Sequence, residues 1–332
     1  MPSKLAIFGC GSDLSKNIEK LKREFEIVGI FDNNSALHGK EKHGFKISKP
    51  QKILTFDFEI LKICSLANTT KIRTQVIDLG VPEEKIMPTP LWCDQNFAKW
   101  TKLRNERNKE RVFIIGNGPS LTFEDLNLLH MYNEACFAFN KIYLAFEESD
   151  FRPTYYMVED TLVAKNNAQK IDDLSGFPKF YPEHLLRTLM VSNDVLVFGQ
   201  NLPNANYEMA TEPSSEPTNF GWGSTVTCTA IQAAIYLGFS KIHLLGVDFN
   251  FEWSGKKVFE KNVLIGEGEA NHFHKDYRPV GEKWNAPKMD ITESHYLLLQ
   301  EFAEQMGVEI INSTRGGKLE VFPRVSLEQA LA

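Results

Sequence analysis

Glycines and small polar residues follow an apolar run directly in the stretch VFIIGNGPSLTFEDL. Gly116, Asn117 and Gly118 are followed by Pro119 and Ser120, and then by a predicted helix. Proline suits a first helical turn, serine can cap a helix, and the unpaired N–H groups at a helix start attract anions. A structural strand–turn–helix corner needs one glycine at most, so the pattern predicts a site for a phosphate or a nucleotide.

Two groups of ionisable residues have the chemistry of a general base or a metal ligand. Glu159 and Asp160 follow the apolar run TYYMV, where paired carboxylates suit Mg²⁺ bridging of phosphates, proton transfer or a hydrogen bond to a sugar hydroxyl. His272 and His274 lie in an irregular segment, and a histidine with an unperturbed pKa of about 6.5 suits a general base. Asp248 ends another apolar run. We expect the base among His272, His274 and Asp160.

A cationic glycine turn lies near the carboxyl end of the sequence, in STRGGKLEVFPR. Arg315 and Lys318 flank two glycines there, after a predicted strand. Arginine binds phosphates and carboxylates through two parallel hydrogen bonds, so the turn predicts a clamp for a diphosphate or a sugar carboxylate. A plain turn into the C-terminal segment is the alternative.

A weaker glycine corner lies near the amino end, in IFGCGSDL. Gly9 and Gly11 match part of the dinucleotide-binding pattern, whose third glycine is replaced by Leu14. Asp32 follows Gly11 after about 20 residues, where an acid would bind a ribose. The pattern predicts either a nucleotide or nucleotide-sugar site or a tight turn without a ligand.

Alternating strand and helix patterns position these residues. Apolar runs such as KLAIF, RVFII and KIHLL predict strands, and stretches such as STVTCTAIQAAIYLG predict helices between them. Parallel sheets show this alternation and bind ligands at the carboxyl ends of their strands. We predict an α/β protein with two Rossmann-like parallel-sheet domains, one over 1–96 and one over 112–332. The charged segment 97–111 predicts a solvated linker helix.

Composition excludes several classes of protein. The 332-residue chain has a net charge of −6, which argues against a general nucleic-acid binder. Its five cysteines form no CxxC pair and no metal-type spacing, as in a cytosolic protein with reduced thiols. No apolar run approaches a membrane span, and the apolar N-terminal part is too short for a signal peptide. We expect a cytoplasmic protein with no nucleic-acid partner and at most peripheral membrane contact.

Several stretches of the second domain resemble known families. IIGNGPSL is similar to the opening motif of bacterial sialyltransferases that use CMP-sialic acid. It equally resembles motility-accessory-factor-like proteins of unknown function, a family that includes 6-hydroxymethylpterin diphosphokinases. CFAFNKIYLAFE, GSTVTCTAIQAAIYLGFSKIHLLGVDF and NSTRGGKLEVFPRVSLEQ support the resemblance. It implies a sialyltransferase-like catalytic domain in which Asn140, Ser224 and Thr225 orient the nucleotide.

The first domain resembles a different family. The pattern IFGCG…EIVGIFDNN…GKEKHGFKIS is similar to the N-terminal Rossmann-like domain of bacterial sugar-modifying acyltransferases, which handles nucleotide-sugars. This resemblance also implies a role in the biosynthesis of surface polysaccharides.

Three functions follow from these resemblances. The favoured one is a glycosyltransferase that transfers a sugar, expected to be a CMP-activated acidic sugar, to a cell-surface glycan or lipid-linked glycan without a required cofactor. Asn285 stands about where the sialyltransferases have their catalytic histidine, so the base must lie elsewhere. The alternatives are an ATP-dependent diphosphokinase-like transferase, with Glu159 and Asp160 on Mg²⁺, and a non-catalytic nucleotide-sugar-binding protein.

Overall fold

The computed structural model describes residues 2–65, 68–106, 110–203, 207–251, 258–260, 263–268 and 270–332. The chain divides into two compact units. Unit 1 comprises Met1–Cys93 and Gly199–Asn201, and unit 2 comprises Asp94–Phe198 and Leu202–Ala332. Each unit is built on a sheet of mainly parallel strands, which confirms the predicted α/β class with two Rossmann-like units.

Strands and helices alternate along most of the described chain. The strands are β1 Lys4–Phe8, β2 Glu26–Phe31, β3 Glu41–Lys42, β4 Phe45–Ser48, β5 Ile60–Ile63, β6 Arg111–Ile115, β7 Cys136–Phe139, β8 Tyr155–Met157, β9 Lys179–Pro182, β10 Val195–Phe198, β11 Gln200–Asn201, β12 Phe220–Gly221, β13 Lys241–Leu245, β14 Val258–Glu260, β15 Val263–Ile265, β16 Lys283–Asn285 and β17 Glu309–Asn312. The helices are α1 Ser12–Glu24, α2 Thr69–Asp78, α3 Asp94–Glu106, α4 Phe123–Met131, α5 Thr161–Asn166, α6 Ala168–Asp173, α7 Val226–Leu237, α8 Met289–Gln305 and α9 Leu327–Leu331.

The sheet of unit 1 has the order β3-β4-β2-β1-β5. β1 pairs in parallel with β2 and β5, and β4 pairs in parallel with β2. Helix α1 follows β1 because Leu14, Ile18 and Leu21 recur at helical spacing and bury one face. The strand order reverses between β1 and β5, so the first glycine corner lies at the point where ligands bind in such sheets.

The sheet of unit 2 has seven parallel strands in the order β10-β9-β8-β7-β6-β13-β17. Beside β6, the chain continues to β7 on one side, whereas β13 pairs on the other. Such a reversal opens a crevice at the carboxyl ends of the two central strands. The glycine corner that follows β6 therefore lies at the switch point of the larger sheet. A separate antiparallel sheet of β14, β15 and β16 follows β13.

Helix α7 supplies much of the core of unit 2. Its sequence VTCTAIQAAIYL is apolar on nearly every side, and its residues are almost all buried. A helix that is apolar all round is stable only inside a protein. Gly238 ends the helix at a φ of 85°, a left-handed conformation that suits glycine.

The segment 97–111, predicted as a solvated linker helix, needs correction. Helix α3 ends at Glu106, and β6 begins at Arg111. Trp100 is only 1% exposed, and its indole packs edge-on against Phe180 within unit 2. Its Nε1 also donates a hydrogen bond to the Val197 carbonyl at 3.0 Å. Asn96, 4% exposed, also exchanges two hydrogen bonds with the Val197 backbone, so α3 is packed into unit 2 by its buried face and is not a solvated linker.

Helix length and polarity also bear on membrane contact. Within the described part of the chain, no helix combines the length and the apolar character needed to cross a bilayer.

Candidate functional site

The corner after β6 packs tightly against the end of β13. A Cβ atom built on Gly116 would lie 2.8 Å from the Gly246 carbonyl carbon and 3.0 Å from a Val247 methyl. One built on Gly118 would lie 2.7 Å from Asp248 Cγ. Both glycines are therefore required by the neighbouring loop itself. This corrects the expectation that a glycine-rich corner here exceeds what packing demands.

Asp248 holds the corner in place. Its Oδ2 accepts hydrogen bonds from Ser120 Oγ at 2.8 Å and from the Ser120 N–H at 3.4 Å. Its backbone carbonyl accepts the Lys318 N–H at 2.8 Å. Burial raises the pKa of Asp248, and the hydrogen bonds from Ser120 offset only part of that rise. Asp248 thus joins the end of β13 to the corner and to the cationic turn.

Arg315 of that turn is engaged within the protein. It donates from Nη2 to Asp125 Oδ1 at 2.9 Å and from Nη1 to the Ser120 carbonyl at 3.1 Å. Asp125 and Thr122 form a reciprocal capping box at the start of α4. The hydrogen bond to Asp125 raises the pKa of Arg315. Arg315 therefore fixes the helix start, whereas the Lys318 side chain is exposed beside it.

Two buried amide oxygens face this edge of the sheet. Asn117 donates from Nδ2 to the Phe139 carbonyl at 3.2 Å, which turns its Oδ1 away from β7. Asn140 directly follows β7 in a left-handed conformation, with a φ of 51°. The Oδ1 atoms of both residues are buried and neither accepts a hydrogen bond from any described residue, while the Asn140 amide group also hydrogen-bonds to the Tyr277 hydroxyl. Buried polar atoms without a protein partner mark places where a ligand or a water binds.

The histidine-containing loop contacts the corner. The Phe273 N–H donates to the Asn117 carbonyl at 3.0 Å. His272 stacks on Tyr277 with ring centroids 3.8 Å apart, and its Nδ1 is buried with no hydrogen-bond partner among the described residues. Burial, followed by the charges of Arg278 and Lys141, lowers the pKa of His272 to about 3. The imidazole is thus neutral at physiological pH.

His274 is engaged at both ring nitrogens. Its Nδ1 accepts the Asp276 N–H at 3.1 Å, and its Nε2 lies 3.4 Å from Glu148 Oε1. These contacts assign the proton to Nε2, where it faces the carboxylate. With the Nδ1 lone pair already used, His274 is poorly arranged to accept a proton from a substrate.

Lys141 is a site residue that sequence reasoning missed. It follows Asn140 and is only 5% exposed. Its Nζ donates to the Tyr277 carbonyl at 2.7 Å and to Glu282 Oε2 at 2.6 Å. Burial lowers the pKa of Lys141 despite the opposing effect of Glu282. Lys141 therefore fastens both ends of the segment 277–282; the signal that could have revealed it is a lysine within the apolar stretch FNKIYLAF.

The predicted acidic pair serves local structure. Asp160 caps α5, accepting the N–H groups of Leu162 and Val163 at Oδ1, at 2.6 and 3.0 Å. Its Oδ2 accepts Asn285 Nδ2 at 2.8 Å. Glu159 Oε2 accepts the Thr229 hydroxyl at 2.7 Å. These contacts engage both oxygens of Asp160 and one oxygen of Glu159, so a magnesium ion bound there would compete with the N-cap of α5, Asn285 and Thr229. No group of three or more His, Cys, Asp or Glu side chains among the described residues has a metal-binding arrangement.

Ser224 and Thr225 lie where α7 begins. Ser224 has a φ of 62°, which is costly for a residue with a side chain, and Thr225 is the N-cap without a side-chain hydrogen bond to the helix. The Thr229–Glu159 hydrogen bond ties the first turns of α7 to the end of β8. The structure therefore brings these two residues to the acidic pair.

The first glycine corner, in unit 1, is accounted for as a turn. Gly9 has a φ of 99°, and a Cβ there would lie 2.7 Å from the Cys64 carbonyl oxygen. Asp32 accepts the Cys10 N–H at 2.8 Å, the Cys10 thiol at 3.0 Å and the Asn34 N–H at 2.8 Å. Burial would raise the pKa of Asp32, but these hydrogen bonds outweigh it and lower the pKa. Asp32 braces the turn, while Gly11 is exposed with open space around it.

Comparisons with known proteins give the two halves of the chain different relatives. Residues 1–87 match the C2185-like N-terminal family, and residues 93–253 match the 6-hydroxymethylpterin diphosphokinase MptE-like family. The second match confirms the resemblance to the pterin diphosphokinase family stated from the sequence. No curated protein matches the chain.

Two solved structures are similar to the chain at low identity. The MAf glycosyltransferase from Magnetospirillum magneticum AMB-1 is 13% identical with a TM-score of 0.40, over 98% of this chain and 58% of that one. A mammalian sialyltransferase, solved with Gal-beta-1-3GalNAc-ortho-nitrophenol, is 11% identical with a TM-score of 0.33, over 68% of this chain and 87% of that one. The chain thus spans little more than half of the MAf glycosyltransferase.

Proposed function

We propose that this chain, whose residues 93–253 match the MptE-like family model, is a glycosyltransferase that uses a nucleotide-activated sugar. The expected donor is a CMP-linked acidic sugar, and the expected acceptor is a cell-surface glycan or lipid-linked glycan. The proposed reaction requires no metal cofactor. The site lies in unit 2, at the switch point beside β6, and the reaction takes place in the cytoplasm.

The observation that carries the proposal is the pair of buried oxygens, Asn117 Oδ1 and Asn140 Oδ1, at the ends of β6 and β7. Both accept hydrogen bonds only, so they suit the N–H or O–H groups of a nucleoside. A parallel sheet binds its ligands at this position. The Gly116–Ser120 corner leads through Thr122 into α4; Thr122, and not the predicted Ser120, caps the helix, so only the Phe123 and Glu124 N–H groups, which lie outside the capping box, suit the donor phosphate.

Some residues of the site hold the glycine corner in place, and others contact the ligand directly. Asp248 and Arg315 hold the corner and act on the ligand through it, since each spends its hydrogen bonds on Ser120 or Asp125. Lys318 is exposed next to them and is the cation that steadies the leaving phosphate or the sugar carboxylate. Ser224 and Thr225 complete the nucleotide site from the start of α7.

His272 is the favoured base because its Nδ1 has no described partner, whereas the nitrogens of His274 and the oxygens of Asp160 are engaged. The acceptor oxygen attacks the anomeric carbon, the bond from that carbon to the phosphate oxygen breaks, and CMP leaves with both electrons. The acceptor proton passes to His272 Nδ1. The charge of a bound phosphate would offset the effects of Arg278 and Lys141 on the pKa of His272, whereas burial, the larger cause of the low pKa, is relieved only when the acceptor hydroxyl hydrogen-bonds to Nδ1.

A diphosphokinase-like transferase is the second candidate, because the family that matches residues 93–253 carries that description. It would transfer a diphosphate from ATP and would need Mg²⁺ on Glu159 and Asp160. Those carboxylates would have to give up their present contacts with Thr229, the start of α5 and Asn285.

A pair of reaction assays tests these candidates. The protein is incubated with CMP-N-acetylneuraminate and a mixed glycan acceptor in EDTA, and, separately, with ATP, Mg²⁺ and 6-hydroxymethyl-7,8-dihydropterin. We expect CMP release in the first assay, and a loss of at least about 100-fold in kcat for His272→Ala with nucleotide affinity retained. Formation of AMP and a pterin diphosphate in the second assay would overturn the proposal. A loss confined to Asp160→Ala would transfer the role of base to that carboxylate.

A further inference from the structure

An exposed aromatic surface lies in unit 2, formed by Tyr207, Trp222 and Lys288 and called here the aromatic patch. The rings of Tyr207 and Trp222 meet edge to face with centroids 5.2 Å apart. Lys288 Nζ lies 5.8 Å from the centroid of each ring. Tyr207 is 37% exposed and Trp222 is half-buried, so both residues are partly open to solvent.

The patch is held rigid by backbone contacts. The Trp222 N–H donates to Thr211 Oγ1 at 2.7 Å, and the Thr211 N–H donates to the Trp222 carbonyl at 3.1 Å. Lys288 Nζ donates to the Tyr207 carbonyl at 2.6 Å, its one hydrogen bond among the described residues. An ammonium group has three N–H donors. The patch therefore combines two aromatic rings with a lysine ammonium group that has two N–H donors not used by the described residues.

The patch lies beside the candidate site and not within it. Trp222 precedes Ser224 and Thr225 at the start of α7, and Lys288 follows Asn285, which binds Asp160. Asp160 comes after β8, two strands from β6, a spacing of about 10 Å across the sheet. That spacing, from the corner to Asp160, is about the length of a sugar unit, and the patch is linked to Asp160 through Asn285 and the residues that follow it.

We propose that the aromatic patch is the subsite for an acidic sugar unit of the acceptor glycan. The C–H face of a pyranose ring is apolar and weakly positive, so it stacks on aromatic rings, while the ring edge keeps its hydroxyls in water. Lys288 pairs with a carboxylate on the same sugar, which selects an acidic sugar over a neutral one. This inference rests on the proposed glycosyl transfer and adds the class of acceptor to it.

Saturation-transfer NMR on the full chain tests the inference with two probes, methyl β-D-glucuronide and methyl β-D-glucoside. We expect tighter binding of the glucuronide. Trp222→Ala should weaken both probes by about tenfold or more, since it removes a stacking face. Lys288→Met should bring the two affinities together while leaving the glucoside unchanged. Tyr207→Ala should also weaken both probes, since it removes the other aromatic ring of the patch. Tyr132→Ala, which removes an exposed aromatic ring at the end of α4, is its matched control and should change neither affinity.

Competition with CMP separates this inference from the proposed function. If CMP raises the melting temperature and the glucuronide binds at the same time, both hold. Displacement of the glucuronide by CMP would assign the patch to the donor and overturn the acceptor subsite. Equal binding of the glucuronide to the parent and Trp222→Ala proteins would overturn it as well. Glucuronide binding that depends on the patch, in a protein that binds no nucleotide, would refute the glycosyl transfer and leave the patch as an acidic-sugar site without an acceptor role.

Discussion

Replacing Gly118 with alanine should loosen the corner even though the backbone there could accommodate alanine. The added methyl would lie 2.7 Å from Asp248 Cγ and 2.7 Å from the Gly246 carbonyl oxygen. Asp248 must then move away from Ser120, and the backbone after β13 must shift as well. Loss of a hydrogen bond to a charged group costs about 1.5–3 kcal/mol, and overpacking costs about 1–3 kcal/mol. We therefore expect Gly118→Ala to lower the free energy of unfolding by about 4 kcal/mol.

Gly11→Ala is the matched control in the other glycine corner. Gly11 has a φ of −75°, and a Cβ atom there meets nothing within 4 Å. Alanine is a poorer N-cap than glycine but restricts the unfolded chain, so the two effects nearly cancel and the change should stay within about 1 kcal/mol. The two substitutions add the same methyl group and differ in what that methyl meets.

Urea unfolding followed by circular dichroism measures both variants. The double variant Gly118→Ala, Asp248→Ala tests the mechanism, since truncating Asp248 removes part of the overlap. The cost of Gly118→Ala should be smaller in that background by about 1–2 kcal/mol. A Gly118→Ala cost as small as that of Gly11→Ala, or an unchanged cost without Asp248, would refute the described packing of the corner.

Three further predictions concern the surroundings of the site. Burial lowers the pKa of His295 and of His243 to about 4 in the folded state, whereas a histidine in the unfolded chain has a pKa of about 6.5, so the unfolded state binds more protons between these values. The free energy of unfolding should therefore fall as the pH drops from about 6.5 to 4, by up to about 3 kcal/mol for each histidine, and urea unfolding of His295→Phe should show a smaller dependence on pH. Lys141→Met leaves Glu282 without its cationic partner and should speed hydrogen exchange at 277–282 and weaken CMP binding. The pair Lys141→Met, Glu282→Gln should recover part of both, and equal defects in the single and double variants would contradict this. Arg315→Gln should lower the free energy of unfolding by less than about 1 kcal/mol, because the arginine side chain is 57% exposed. The same substitution should weaken CMP binding measured by titration, and an unchanged affinity would refute the positioning role of Arg315.

The sequence indicated where the site lies because strand ends are local features. An apolar run followed by glycine, asparagine and serine is visible in a few residues, and the parallel sheet then brings such ends together. The corner after β6, the Asn at the end of β7 and the loop with His272 are therefore found near one another, as Phe273 on Asn117 demonstrates.

The partners of the ionisable residues could not be predicted in the same way. Asp160 and Asn285 are 125 positions apart in the chain, and Ser120 and Asp248 are 128 apart. The sequence identifies a carboxylate at a strand end but does not reveal which distant group has already bound it. Arg315 and Asp32 are further examples, since each looks like a ligand contact and each is engaged by residues of its own unit.

Strand β9 was missed for a related reason. Its sequence KFYP holds a lysine and a proline, and a charged residue argues against a buried strand. Lys179 is nevertheless only 2% exposed, because its Nζ donates to the Leu174 carbonyl at 2.9 Å and lies 3.4 Å from Asp194. The contacts with the Leu174 carbonyl and Asp194 therefore allow a lysine to be buried in a strand, against the low strand preference of lysine.

Calorimetric titration with CMP tests the central claim most directly, namely that the corner beside β6 binds a nucleotide without a metal. The titration is made in EDTA on the parent protein, on Asn117→Ala and on Asn140→Gly, the glycine being chosen because it tolerates the left-handed conformation. We expect the parent to bind CMP in EDTA and each variant to bind about tenfold more weakly, since each loses one acceptor. Absence of CMP binding in EDTA, together with binding of ATP only when Mg²⁺ is added, would contradict the account.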